Sequence, residues 1–135
     1  MNIAVELKKI AAKVRLYTPT TKEILEEAKQ ILVKKGWTQR SMARDKAGHM
    51  ISTRDSGAAA FCSLGAIHKA TLNFGLDPWR AYRVSGQGIG TAERAERAIE
   101  AFITSESSIA DWNDSGFRTK AEVLSVFDKA IEAQK

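Results

Sequence analysis

Apolar residues recur at helical spacing through most of this chain, and one stretch is apolar almost all round. Ala58 to Leu72 carries a single charge, Lys69, in fifteen residues. Its small residues at 58 to 60, 65 and 66 admit close neighbours, while Phe61, Leu64, Ile67 and Leu72 fill the space between. A helix without a polar face belongs in a core, so this run is expected to be the central helix, with Ser56 as its cap. Asn73 to Gly75 would end it.

The flanking segments are amphipathic. Ile3, Leu7, Ile10 and Val14 are spaced by four, three and four, a narrow stripe on a helix within residues 1–17. The favoured reading packs that stripe on its own domain; the alternative is a short dimerising seam. Thr18-Pro19-Thr20 breaks the helix. Thr20 and Glu23 then have capping-box spacing, ahead of a face made by Ile24, Leu25, Ala28, Ile31 and Leu32. Lys34, Lys35 and Gly36 mark its end, and Trp37 is expected to fold back over it.

From Thr38 to Thr53 the helical period disappears. Asp45-Lys46-Ala47-Gly48 reads as a turn between short strands near 40–44 and 49–53. After the central helix, Asp77-Pro78 has the form of a cap and first-position proline, leading into Trp79, Tyr82 and Val84. Ser85 to Gly90 is glycine-rich. Thr91 opens a helix burying Ala95, Ala98, Ile99, Phe102 and Ile103. Ser108 and Asp111 cap one turn with Ile109 and Trp112. A second capping box, Thr119 with Glu122, starts a last helix that buries Val123, Leu124, Phe127, Ala130 and Ile131.

The pattern predicts a mainly α domain, bordering on α+β, over residues 1–135. Five or six helices surround the central one, with one small β-hairpin near 40–53. A chain of 135 residues is long enough to bury such a core without disulfides or metal. The single cysteine, Cys62, makes no internal disulfide, no run is long enough to span a bilayer, and the N-terminus lacks the order of a secretion signal. These features lead to the expectation of a cytoplasmic protein with no membrane partner.

Charge adds an asymmetry. Residues 1–54 hold twelve Lys and Arg against five Asp and Glu, whereas residues 55–135 hold nine against eleven. Lys34, Lys35, Arg40, Arg44, Lys46 and Arg54, with Trp37 among them, make a candidate nucleic-acid patch. Solvated helix faces explain the same charges and are favoured.

Catalytic and cofactor constellations are weak. His68 lies about 120° around the helix from Cys62 by the 3.6-residue period, and Cys62 is expected past the first turn, where dipole activation has faded. A buried, inert thiol is the better reading. One Cys and two His without ligand spacing make no zinc site, and no cofactor is expected. The loop Ser85 to Gly90 lacks the strand before it, and the Lys-Ser/Thr after it, that phosphate binding needs. Asp114 remains a candidate partner for Arg44 or Arg118, lining a pocket with Trp37 or Trp112.

Several strings taken in order carry a resemblance. They are Gly36-Trp37-Thr38-Gln39, Ala43-Arg44-Asp45 with Gly48, Cys62-Ser63-Leu64-Gly65-Ala66-Ile67, Trp112-Asn113-Asp114, and Arg118-Thr119 followed by Glu122-Val123-Leu124 and Phe127-Asp128. Over residues 20–134 the chain resembles a family of small bacterial and bacteriophage proteins classified as a domain of unknown function. The resemblance implies a cytoplasmic protein of bacterial, phage or prophage origin and supplies no activity. Trp37, Arg44, Asp45, Asn113 and Asp114, which match its motifs, form the candidate binding surface.

The functional expectation is a non-enzymatic protein-binding or regulatory module, with another protein as partner and a homodimer among the arrangements allowed. Nucleic-acid binding through the 34–54 region is the first alternative. A small hydrolase-like enzyme using Cys62 or Asp45 and Asp114 is the second.

Overall fold

The computed structural model describes residues 2–78, 90–103 and 108–134. Trp79, Tyr82, Val84 and the glycine-rich loop from Ser85 to Ile89 lie outside the described residues. Those described form six helices and a two-strand antiparallel pair: α1 (Ile3–Lys13), α2 (Thr21–Lys34), β1 (Ala43–Arg44), β2 (Ala60–Phe61), α3 (Ser63–Asn73), α4 (Thr91–Glu100), α5 (Ile109–Asn113) and α6 (Lys120–Ala133). The protein is mainly α with a small β element, as the periodicity predicts.

Local chemistry sets the helix ends. Both capping boxes form: Thr20 and Thr119 accept from the backbone N–H of Glu23 and Glu122, whose side chains reach back to the cap N–H. Ser108 accepts from the N–H of Asp111 and starts α5. Each device satisfies backbone donors that the first helical turn leaves unpaired. Asn2 does the same for α1.

The core lies where α2 and α3 pack together. Ile24, Leu25, Ala28, Ile31 and Leu32 of α2 are all buried, as their spacing predicts. They meet Ala66, Ile67 and Ala70 of α3 in one cluster with Ile99, Ile109, Val123 and Phe127. α4 packs on both central helices, α5 on α3 and α4, and α6 on α2 and α4.

Four expectations need correction. The central helix starts at Ser63, not near Ala58: Ala60–Phe61 is a strand paired with Ala43–Arg44, and Cys62, rather than Ser56, is the cap. The turn at Asp45 to Gly48 is present, with Gly48 at φ +89° and Asp45 Oδ1 accepting from the N–H of Ala47 and His49. Its arms meet through Asp45 N–H to His49 O and Ile51 N–H to Ala43 O, but the regular ladder takes its second strand from residues 60–61. Phe102 falls beyond the end of α4 and is half exposed.

The apolar stripe of α1 is the fourth. The helix docks on the body, but through its opposite face. Ala12 is buried, Lys8 Nζ pairs with Glu23 at 2.7 Å, and Lys9 Nζ pairs with Glu27 at 2.7 Å. Gly75, at φ +76°, lies so close to Lys13 that an added Cβ would sit 3.1 Å from the Lys13 Cα. Ile3, Leu7, Ile10 and Val14 therefore point away from the domain.

Candidate functional site

The motif strings converge on Asn113, the last residue of α5. Its side chain is fully buried, and both ends of the amide are used. Oδ1 accepts from Trp37 Nε1 at 2.7 Å, from Ser63 N–H at 2.9 Å and from Ser63 Oγ at 2.7 Å. Nδ2 donates to Thr38 O at 3.1 Å and to Asp114 Oδ1 at 3.0 Å. Donors on one side and acceptors on the other fix the orientation of the amide.

A second tier surrounds it. Gln39 Nε2 donates to the carbonyls of Asn113 and Ser115, at 2.9 and 2.8 Å. Asp114 Oδ1 accepts from Arg40 N–H at 2.8 Å, which holds Arg40 at φ +63°, a backbone region that costs energy for a residue with a Cβ. Arg44 donates from Nε to Thr38 Oγ1 and from its Nη atoms to the carbonyls of Gly48 and Gln39. Three segments distant in sequence are thereby joined: residues 37–44, the start of α3 and the end of α5.

The N-terminus of α3 is capped from two directions. Cys62 Sγ accepts from Gly65 N–H at 3.2 Å, and Asn113 takes the N–H of Ser63. Cys62 N–H in turn donates to Met42 O at 3.2 Å, bringing residue 42 against the helix. Only glycine permits that approach, because a Cβ at Gly65 would stand 1.9 Å from Met42 O. Cys62 is thus at the helix start, not past the first turn. Burial raises its thiol pKa against the opposing pull of the Gly65 and Leu64 N–H groups, which disfavours the thiolate. His68, further along α3, is buried and held to a pKa of about 4 by that burial, with Asp77 pulling weakly the other way.

The remaining candidates separate. Trp37, Asn113 and Asp114 come together, and Arg44 joins them through Thr38 and Gln39. Asp45 belongs to its own turn, where the His49 N–H and imidazole, with the Ala47 N–H, lower its pKa. Asp114 pairs with neither Arg44 nor Arg118. Arg118 instead stacks over Trp112 with 4.2 Å to the ring centroid, donates to Trp112 O and reaches Glu122 at 3.3 Å. Within the basic region Lys34, Lys35, Arg40 and Lys46 are exposed, Arg44 is turned inward, and Arg54 pairs with Asp77 at 3.3 Å. Among the described residues no group of three His, Cys, Asp or Glu side chains is placed to hold a metal ion.

The reading of single residues does not pick out Thr38, Gln39 or Ser63. All three stand inside the motif strings, and their partners at the end of α5 lie 50 to 76 positions away, beyond the reach of periodicity.

The fold and this junction define a small helical domain closed by a buried asparagine. The chain belongs to the family described as "Family of unknown function (DUF6197)", whose model matches residues 16–133 and so begins after α1. Searches of curated proteins and of solved structures returned no match. Among the described residues no helix is long and apolar enough to cross a membrane.

Proposed function

We propose that this protein is a non-catalytic protein-binding or regulatory module, acting in the cytoplasm of a bacterium or on behalf of a phage or prophage. It engages its partner through the outward face of α1. The observation that supports the reading is the contiguous apolar stripe on a helix docked by its other side. Patches of this kind on a small domain mark surfaces that other macromolecules cover. Engagement of the motif side chains within the fold points the same way. Asn113 and Arg44 bond to the protein itself, Asp114 holds a backbone N–H, and the Cys62 thiol is buried, which weighs against a hydrolase-like use of Cys62, Asp45 or Asp114.

A photo-crosslinking amino acid placed at Leu7 tests the reading in cells. Adducts with a protein chain, stable to nuclease, are the expected result. No adduct, or one that nuclease removes, would overturn it, and the second result would move the function to nucleic acid and the exposed Lys34, Lys35, Arg40 and Lys46.

A further inference from the structure

Resting on that reading, we infer that the surface covering α1 is the α1 of a second copy of this chain, packed antiparallel. The argument starts from the two faces of the helix. At 3.6 residues per turn, the docked residues Val5, Lys8, Lys9 and Ala12 lie half a turn away from Ile3, Leu7, Ile10 and Val14. The four stripe residues are between 60% and 71% exposed, and Leu16, just beyond the helix, is 82% exposed. Their alternation of four and three is the seam of a helix pair, not of a helix seeking a broad groove.

The borders of the stripe select the partner. Ala4 and Ala11 run along one side, and Glu6 and Lys13 along the other. A twofold axis midway between Leu7 and Ile10 sets Ile3 against Val14 of the other copy and Leu7 against Ile10, with each contact made twice. This is the self-complementarity that a symmetric dimer requires. The same axis brings Glu6 of each copy beside Lys13 of the other, and places the small Ala4 opposite Ala11, so that the backbones can approach. Parallel pairing would leave Glu6 facing Ala11 and no opposite charges joined. A membrane surface suits the face less well, because Lys8 and Lys9, which would read anionic headgroups, are already paired with Glu23 and Glu27 on the docked side. The seam is short, roughly half of the ~800 Å² per partner of a standard interface, so association is reversible and concentration-dependent.

Sedimentation equilibrium of the full chain between about 1 and 500 μM tests the inference. The mass is expected to rise from 14.8 kDa toward twice that value across the series. Leu7→Glu with Ile10→Glu should hold the protein monomeric throughout, with its circular dichroism and urea midpoint unchanged, since both side chains are exposed. Glu6→Lys and Lys13→Glu should each weaken the dimer about tenfold, and the combination should restore it. A monomer at every concentration would overturn the inference, and so would a dimer indifferent to the stripe variant. Charge variants without mutual rescue would overturn the antiparallel arrangement. Binding of the monomer to phosphatidylserine–phosphatidylcholine vesicles would assign the face to a membrane instead. A monomer that still forms a protein adduct at Leu7 would sink the second copy while leaving the binding-module reading standing.

Discussion

The indole N–H of Trp37 donates to Asn113 Oδ1 over 2.7 Å, joining residues 76 positions apart. The same oxygen accepts from both donors of Ser63, and the amide nitrogen donates to the Thr38 carbonyl. Removing the amide strands several buried polar groups at once. Asn113→Ala is expected to cost about 2–4 kcal/mol, read as a lower urea midpoint at unchanged m-value. Asn113→Asp keeps the acceptor but sets a second oxygen against Thr38 O and the Asp114 carboxylate. That variant should gain stability between pH 7 and 5, as the introduced carboxyl takes up a proton and can donate.

Among the described glycines, Gly65 leaves the least room for a side chain. Gly65→Ala drives a methyl into the Met42 carbonyl and should cost about 3 kcal/mol or more, since the obstacle is main chain and cannot rotate away. Gly116 offers the control. Nothing lies within 4 Å of a Cβ there, so Gly116→Ala should stay within about 0.5 kcal/mol of the parent in the same denaturation.

Acid should release α1. Burial alone would raise the pKa of Glu23, but hydrogen bonds from Lys8, Thr20 N–H and Tyr17 OH outweigh it and hold the group at about 2, against 4.5 in the open chain. The lowered value means that the stabilisation is fully present above pH 4.5 and lost as pH falls through about 2, up to about 3 kcal/mol in all. Amide exchange along α1 should accelerate across that interval before the α2–α3 core opens. Glu23→Gln should produce much of the same loosening at pH 7.

The Cys62 thiol should behave as a cap rather than as a nucleophile. Native protein at pH 8 should react negligibly with a disulfide reagent such as DTNB, and denatured protein should yield one equivalent. Cys62→Ser retains an acceptor for Gly65 N–H, whereas Cys62→Ala does not, so the serine variant should be the more stable by about 1 kcal/mol. Rapid labelling of the native thiol would reopen the enzyme alternative.

Features decided within a few residues were legible in the sequence. Thr20 with Glu23, Thr119 with Glu122, and Ser108 with Asp111 each act across three positions, and α2 buries the face its spacing marks out. The orientation of α1 was not legible. It depends on Lys8 and Lys9 meeting Glu23 and Glu27 of another helix, and ion pairs leave no period in a hydrophobic pattern. The strand at Ala60–Phe61 was hidden because a short apolar run serves strand or helix equally well; residue 43 of a distant segment decided it. At the site, Trp37, Asn113 and Asp114 could be singled out by residue type, but the inward turn of Arg44 and the part played by Ser63 required the fold.

The buried asparagine also bears on the order in which the protein can be made. Ser63 and Trp37 leave the ribosome 50 and 76 residues ahead of Asn113, and neither meets its native acceptor until that residue has emerged. Closing loops of that length early would spend chain entropy with no compensating contact. The two capping boxes, the α2 helix and the pairing of residues 43–44 with 60–61 can form as they appear, but the Trp37 and Ser63 donors wait on Asn113. A nascent protein halted before residue 113 would lack the buried amide that ties Trp37 and Ser63 to α5, an incomplete fold open to proteolysis.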